Sequence, residues 1–291
     1  MKISVSSYSF MEYINDGRLT QLTAIDKAKE LGFDAIEFVD IDGRGNLELQ
    51  KENAAKLKER ADSIGMVINA YTIGAELAKP TEEERASEVE RLKGQLDVAK
   101  ILGAGVMRHD VCYSLGKTGF TRSFDLMLPY LADSARKVTE YGATLGIKTC
   151  SENHGYIAQD SDRMERLFNA VNHDNYGLLV DMGNFTCADE DHVLAVSRVA
   201  PYAIHAHAKD MKISKGAPYG CCQAPTRGGN YFCGTAIGEG DVPVKQCLNV
   251  LKRVGYDGYL SIEFEGNGDC INGIARSFEN LKTMLKELGW N

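Results

Sequence analysis

The amino-acid sequence predicts an α/β protein, a single (β/α)8 TIM barrel domain over residues 1–291 with a long loop after its seventh strand. Short apolar or β-branched runs alternate with amphipathic helical stretches along the chain. Eight such units follow one another without a linker, which favours one barrel over two domains. No GxGxxG motif follows the first strand, and its absence disfavours a dinucleotide-binding, doubly wound sheet.

The first half of the chain contains four predicted strands, which are KISVSSYSF, FDAIEFVD, MVINAYT and AGVMRHDV. The helix LTQLTAIDKAKELG follows the first strand and ends at Gly32, because glycine suits the left-handed conformation of a C-terminal cap. The next helix spans about 47–64 and ends before Gly65. The helix TEEERASEVERLKGQLDVAKILG begins with Thr81 and Glu84, whose spacing fits a capping box.

The second half continues the same alternation. A helix that ends at Gly146 precedes the fifth strand, IKTCSEN, and a helix over about 160–172 follows it. The sixth strand is YGLLVDMGN, a short helix lies near 188–199, and the seventh strand is AIHAHAKDM. The Gly-rich stretch KISKGAPYGCCQAPTRGGNYFCGTAIGEGD then predicts a long functional loop. The remaining elements are the helix VPVKQCLNVLKRVG, the eighth strand GYLSIEFEG and the helix INGIARSFENLKTMLKELG.

Composition limits the classes of partner. The formal net charge of -8 disfavours a groove that binds nucleic-acid phosphates. No apolar stretch is long enough for a membrane span or a signal peptide, so we expect no membrane contact and a cytoplasmic protein. The eight cysteines form no CxxC pair, which favours reduced thiols, and Cys221, Cys222 and Cys233 are only a weak candidate zinc site.

In a TIM barrel the active site lies at the C-terminal ends of the strands. Polar side chains occupy these predicted ends on strands two and four to eight. They are Glu37; Arg108, His109 and Asp110; Glu152, Asn153 and His154; Asp181 and Asn184; His205, His207, Lys209 and Asp210; and Glu263 and Glu265. Any one acid here could instead be a helix cap or a salt-bridge partner.

Four of these residues, Glu152, Asp181, His207 and Glu263, predict a metal site. Three carboxylates at one barrel mouth repel one another unless a cation neutralises them. One imidazole with three carboxylates suits Mn²⁺, Mg²⁺ or Co²⁺, with Zn²⁺ as an alternative. Glu265 is the rival of Glu263 for the ligand role, since residues two apart on a strand share a face.

The motif AIHAHAKDM places two histidines on one face of the seventh strand. His207, nearer the C-terminal end, is the predicted ligand. His205 is then either a packed core histidine or a support for the ligand.

The motifs SENHG, VDMGN, HAHAKD, GEGDVP and LSIEFEG, in this order, resemble the sugar phosphate isomerase/epimerase superfamily, the xylose isomerase-like TIM barrels. The resemblance implies a divalent metal on Glu152, Asp181, His207 and Glu263. It also implies that Glu152 and Glu263 are the catalytic acid/base pair on opposite faces of the sugar. Asn184 stands where many sugar epimerases have a histidine, which leaves the exact substrate open.

Five residues are predicted to contact substrate: His154, Lys209, Glu37, His109 and Arg227. For His154 the alternative is a hydrogen bond at the barrel rim, and Glu37 could pair with a rim cation. Lys209 could hold a phosphate or polarise a carbonyl, or could form a structural salt bridge with its neighbour in sequence.

These observations favour a divalent-metal-dependent isomerase or epimerase of a sugar or sugar derivative, which transfers a proton through an enediolate and uses Mn²⁺. A metal-dependent lyase or dehydratase on a keto-sugar or keto-inositol is the alternative. A non-catalytic sugar-binding barrel and an endonuclease IV-like DNA repair enzyme are less favoured. We expect a small sugar as the partner and leave its phosphorylation, and assembly into a homo-oligomer, open.

Overall fold

Eight parallel strands form a closed barrel in the computed structural model, which describes residues 1–112, 123–216 and 225–290. Around the barrel the strands follow chain order, and the last strand closes the circle beside the first, which confirms the predicted fold. Two further strands, β8 and β9, pair as an antiparallel hairpin outside the barrel. In chain order the strands are β1 (Lys2–Ser6), β2 (Ala35–Val39), β3 (Val67–Ile73), β4 (Val106–His109), β5 (Lys148–Glu152), β6 (Tyr176–Asp181), β7 (Ala203–Ala208), β8 (Asp210–Ser214), β9 (Tyr231–Thr235) and β10 (Tyr259–Ile262).

Helices surround the barrel and cover its strands. Within the described residues they are α1 (Met11–Asn15), α2 (Gln21–Glu30), α3 (Leu47–Ser63), α4 (Glu82–Leu102), α5 (Phe124–Leu145), α6 (Ser161–Val171), α7 (His192–Val199), α8 (Val244–Arg253) and α9 (Cys270–Glu287). The predicted caps are present: Gly32 has a φ of 89°, and Thr81 and Glu84 form the capping box of α4. In the described part of the chain, every helix is too short or too polar to cross a membrane.

Barrel strands are short and apolar because helices bury one face and the barrel interior buries the other. β6, for example, is buried along its whole length. The interior also holds polar side chains, including Ser4, Glu37 and His205, at 0–2% exposure. Polar groups at such depth need partners inside the protein, and these partners shape the site described below.

The first strand is shorter than predicted. It ends at Ser6, whose hydroxyl accepts a hydrogen bond from the backbone N–H of Tyr8 at 3.3 Å, and the chain turns into a 3-10 helix over Ser7–Phe10. This local cap competes with strand hydrogen bonding, as serine side chains commonly do. Tyr8 is consequently 42% exposed rather than enclosed in a strand.

The seventh strand and the loop after it also differ from the prediction. β7 ends at Ala208. The hairpin β8–β9 begins at Asp210, within the last residues of the predicted seventh strand, and continues into the predicted irregular stretch, while Cys221 and Cys222 lie outside the described residues. The carboxylate of Asp210 accepts four backbone N–H groups at 2.8–3.1 Å, those of Met211, Gly238, Gly240 and Val242. A Cβ at Gly240 would lie 2.1 Å from Asp210 Oδ1, so only glycine allows this approach. Asp210 therefore anchors the loop through these backbone hydrogen bonds. Lys209 pairs with Glu263 and Glu265, and not with Asp210 as considered above.

Candidate metal centre

Four side chains with metal-ligating atoms meet at the C-terminal mouth of the barrel. Glu152 ends β5, Asp181 ends β6, His207 lies near the end of β7, and Glu263 directly follows β10. One potential ligand atom from each residue lies within 4.8 Å of the others. Strand register explains the meeting, because His207 pairs with Asp181 on one side and with Ser261, two residues before Glu263, on the other. The structure therefore brings together the four residues predicted as ligands.

The ring nitrogen Nδ1 of His207 faces three carboxylates. It lies 3.6 Å from Asp181 Oδ2, 3.7 Å from Glu263 Oε2 and 3.8 Å from Glu152 Oε1. These separations are too long for hydrogen bonds, and His207 Nδ1 and Asp181 Oδ2 are buried without a hydrogen-bond partner among the described residues. Four ligands in a tetrahedral arrangement about 2.0–2.2 Å from one cation, as around Zn²⁺, stand roughly 3.3–3.6 Å apart. The donor atoms thus fit a divalent cation held between them.

The donor set also indicates the kind of ion. Glu152, Asp181 and His207 are at most 4% exposed, and the side chain of Glu263 is 10% exposed. Three carboxylates at such depth repel one another, which makes a cation favourable. Carboxylate oxygens with one imidazole suit hard or borderline divalent ions such as Mn²⁺, Mg²⁺, Co²⁺ and Zn²⁺.

Two cationic side chains contact the acids of this cluster. Arg108 lies 2.6 Å from Glu152 Oε2. Lys209, whose side chain is 3% exposed, lies 2.8 Å from Glu263 Oε2 and 3.0 Å from Glu265 Oε1. Both Glu263 and Glu265 therefore pair with the lysine. Of the two, Glu263 is the one whose carboxylate lies close enough to Glu152, Asp181 and His207 to share a metal ion with them.

The surroundings shift the pKa values of the two glutamates in opposite directions. Burial raises the pKa of Glu152 and outweighs the opposing effect of Arg108. Burial acts in the same sense on Glu263, but Lys209 and His207 outweigh it and lower the pKa of Glu263 well below its usual value. Two carboxyl groups in unlike environments are suited to passing a proton between them and a substrate.

Backbone and amide groups fix the carboxylate of Asp181. Its Oδ1 accepts the backbone N–H groups of Gly183 at 2.7 Å and Asn184 at 2.8 Å. The side chain of Asn153 bonds the backbone of Asp181 twice, at 2.9 Å each. Asn184 also donates from Nδ2 to Glu152 Oε1 at 2.8 Å. Asp181 Oδ2 is the oxygen left to face the centre, and Asn184 supports two of the candidate ligands.

Glu37 lies beside the imidazoles inside the barrel. Its Oε2 is 2.5 Å from His205 Nε2, its Oε1 is 2.8 Å from His207 Nε2, and the residue is fully buried. Both oxygens face histidine nitrogens, so the predicted contact with a sugar hydroxyl is corrected. Burial opposes ionisation of Glu37, but the two histidines hold its pKa below the usual range. Burial likewise opposes protonation of His207, but Glu37 and Glu263 raise its pKa well above the usual value.

Two adjoining cavities of about 240 and 230 Å³ open at the mouth. The first reaches Glu152, His207 and Glu263, and the second reaches the hairpin. Their shared lining consists of Tyr8, His154, Lys209 and Glu265. His154 and Lys209, both predicted to contact substrate, thus lie where a small molecule beside the four ligands would touch them.

His109 does not face the mouth. It is fully buried, and its Nδ1 donates to the backbone oxygen of Asp110 at 2.8 Å. Neighbouring strand residues point to opposite faces, and Arg108 points to Glu152, so His109 faces away from the cavity. The prediction of substrate contact is therefore corrected. Strand alternation was the signal that could have selected Arg108 and Asp110 instead, and Asp110 Oδ1 contacts His154 Nδ1 at 3.0 Å.

Arg227 also has a different place from the one predicted. It donates to the backbone oxygen of Tyr156 at 3.0 Å and to Asp160 Oδ2 at 2.6 Å. It lines neither of the two cavities. Arg227 therefore joins the loop after β7 to the loop after β5, and its predicted contact with substrate is corrected.

The sequence matches one described protein family and several known proteins. Residues 25–288 match the sequence profile of a family described as xylose isomerase-like TIM barrel. An uncharacterised protein of Methanocaldococcus jannaschii is 24% identical over 292 residues, which cover 98% of this chain and 90% of that protein. An inosose dehydratase of Lactiplantibacillus plantarum is 27% identical over 150 residues, which cover 47% of this chain and 49% of that enzyme. This second match spans about half the length of the enzyme.

Solved structures share the fold at low sequence identity. The structure of an IOLI protein with a bound zinc atom has a TM-score of 0.77 and 16% identity, and 99% of each chain is covered. The structure of an L-ribulose 3-epimerase has a TM-score of 0.75 and 15% identity, and the match covers 99% of this chain and 96% of that one. At these identities the likeness establishes the barrel fold.

Proposed function

Because the chain belongs to the xylose isomerase-like TIM barrel family, we propose that it is a divalent-metal-dependent isomerase or epimerase of a ketose, keto-sugar or related sugar derivative. The observation that carries the proposal is the group formed by Glu152, Asp181, His207 and Glu263. A protein that only binds a sugar has no need for two opposed glutamates, Glu152 and Glu263, within such a group. The proposal therefore assigns catalysis, not only sugar binding, to the mouth of the barrel.

These same four side chains would hold the cation, which we propose to be Mn²⁺, with Mg²⁺, Co²⁺ and Zn²⁺ as alternatives. When bound, the ion would act as a Lewis acid on a substrate carbonyl and adjacent hydroxyl and so acidify the neighbouring C–H bond. The zinc named for the IOLI protein is in keeping with a metal in this fold.

Glu152 and Glu263 are the proposed acid and base. One glutamate, as the carboxylate, would remove the proton next to the carbonyl, and the other, as the protonated acid, would return a proton on the opposite face of the resulting enediolate. Arg108, at 2.6 Å from Glu152, and Lys209, at 2.8 Å from Glu263, would hold the two carboxylates in place. Each glutamate thus has its own cation to fix its orientation during proton transfer.

The cavities supply room for a small polar molecule next to these groups. His154 and Lys209 line both cavities, and we propose that they bind substrate hydroxyl or carbonyl oxygens. The lining of the second cavity includes Met211 and Phe232, which would offer the substrate an apolar surface.

A dehydratase is the second candidate, favoured by the match to inosose dehydratase. The reaction would begin with the same removal of a proton next to a carbonyl. A hydroxyl group on the adjacent carbon would then leave as water after taking a proton from an acidic side chain. The two candidates therefore differ in the fate of one C–O bond.

A screen of unphosphorylated and phosphorylated ketoses and of keto-inositols in deuterated water, with Mn²⁺ present, tests both candidates. An isomerase or epimerase incorporates deuterium next to the carbonyl and keeps every oxygen, whereas a dehydratase forms a product lighter by one water. The Glu152→Gln variant serves as the negative control. No deuterium incorporation and no water loss with any substrate, in protein that has bound Mn²⁺, would contradict the proposal.

A further inference from the structure

Glu37 reaches across the barrel to the metal-ligating histidine. It lies on β2, while His205 and His207 lie on β7, and two strands, β1 and β10, separate β2 from β7 around the barrel. Each carboxylate oxygen of Glu37 contacts one histidine. Oε2 lies 2.5 Å from His205 Nε2, and Oε1 lies 2.8 Å from His207 Nε2. This contact crosses the interior and does not arise from strand pairing.

The three side chains are closed off from solvent. Glu37, His205 and His207 are exposed by 0%, 2% and 1% respectively. Water therefore cannot replace either contact of the carboxylate. The two imidazole rings lie 5.5 Å apart, edge to face, so they approach Glu37 from different directions. Glu37 Oε2 is hydrogen-bonded to His205 and Oε1 contacts His207, so rotation of the carboxylate would change its contact with both rings.

Distances distinguish this group from the candidate metal centre. Glu37, His205 and His207 also have donor atoms close enough together for a metal site. However, Glu37 Oε2 and His205 Nε2 are hydrogen-bonded at 2.5 Å, and Glu37 Oε1 lies in direct contact with His207 Nε2 at 2.8 Å, so neither pair leaves space for an ion between its two atoms. Around His207 Nδ1 the separations are 3.6–3.8 Å, which leaves space for an ion. Only one of the two groups is spaced for a cation.

We propose that Glu37 and His205 are positioning residues for the metal ligand His207, an inference that rests on the proposed metal centre. In this proposal the ring proton of His207 lies on Nε2, which is 2.8 Å from Glu37 Oε1, and the lone pair of Nδ1 is left for the ion. His205 holds the other oxygen of Glu37 and so keeps the carboxylate aligned. A carboxylate behind a ligating histidine fixes the ring and makes the nitrogen a stronger donor.

Titration of metal-stripped protein with Mn²⁺, followed by calorimetry, tests the inference. The wild-type chain should bind one ion. Glu37→Gln should bind it about 10- to 100-fold more weakly, since loss of such a support typically has that effect. His205→Gln should weaken binding in the same direction, and it serves as the second variant if Glu37→Gln does not fold.

Thr139→Val is the matched control. Thr139 is also fully buried, and its hydroxyl bonds Thr149 at 2.7 Å and the backbone oxygen of Ala135 at 2.8 Å, away from the candidate ligands. This variant should lower the melting temperature and leave the Mn²⁺ affinity unchanged. A change in affinity confined to the variants of Glu37 and His205 therefore reports on the metal ligand and not on general stability.

Each remaining outcome decides a separate point. Wild-type affinity in folded Glu37→Gln and His205→Gln overturns the positioning role and leaves the proposed metal centre intact. Two ions per wild-type chain overturn the assignment of this group as a support, because the second would occupy Glu37 and His205. A wild-type chain that binds no ion overturns both this inference and the proposed function.

Discussion

Replacing Lys209 with methionine should destabilise the metal-free protein. The ammonium group is 3% exposed and lies 2.8 Å from Glu263 and 3.0 Å from Glu265. Removing one partner of a buried ion pair leaves a buried charge uncompensated and typically costs about 3–5 kcal/mol. With about 2 °C of melting temperature per kcal/mol for a chain of this size, Lys209→Met should melt at least about 6 °C below the wild-type protein in the presence of a chelator.

Scanning calorimetry with a matched exposed pair isolates the effect of burial. Lys245 lies 2.6 Å from Glu287, but these side chains are 46% and 52% exposed. Lys245→Met should therefore shift the melting temperature by less than about 2 °C. Mn²⁺ should restore part of the loss in Lys209→Met, because a cation also compensates Glu263. Equal shifts in the two variants, or no recovery with Mn²⁺, would refute the reasoning.

Further expected results follow from the same contacts. Glu263→Gln should lose most Mn²⁺ affinity by calorimetry while Glu265→Gln keeps it, and the reverse order would reassign the ligand. Glu152→Gln should lower the rate of deuterium exchange in a substrate at least about 100-fold, and near wild-type exchange would exclude it as an acid or base. Asp210→Asn should make the loop after β7 sensitive to limited proteolysis, since the carboxylate loses part of its bonding to four backbone N–H groups, and unchanged cleavage would contradict its anchoring role. Arg227→Ala should speed amide hydrogen exchange in the loop after β5, whereas unchanged exchange would show that the bridge between the two loops contributes little.

The barrel could be predicted because its signals are local. Strands buried on both faces appear as short apolar runs, and helix ends carry recognisable caps such as Gly32 and Thr81. The elements that differ depend on side-chain bonds to the backbone. The hydroxyl of Ser6 ends β1, and the carboxylate of Asp210 holds the loop around the hairpin, and neither contact has a periodic signature.

The candidate ligands could be located for a geometric reason. Parallel strands of a barrel bring their C-terminal ends to one mouth, so acids and a histidine at those ends must lie close together. Strand alternation separates His109 from Arg108 and Asp110, but the sequence does not say which of the two faces points into the mouth, where the structure places Arg108. The contact between Glu37 and His205 depends on closure of the barrel, which no short stretch of sequence reveals.

The location of the metal ion tests the central claim most directly. Anomalous diffraction from a crystal grown with Mn²⁺ should show one ion per chain, bound directly by Glu152, Asp181, His207 and Glu263. The nearest atom of His207 should be Nδ1, with Nε2 still directed at Glu37. Density at any other position, or a barrel mouth without an ion at saturating Mn²⁺, would contradict the account.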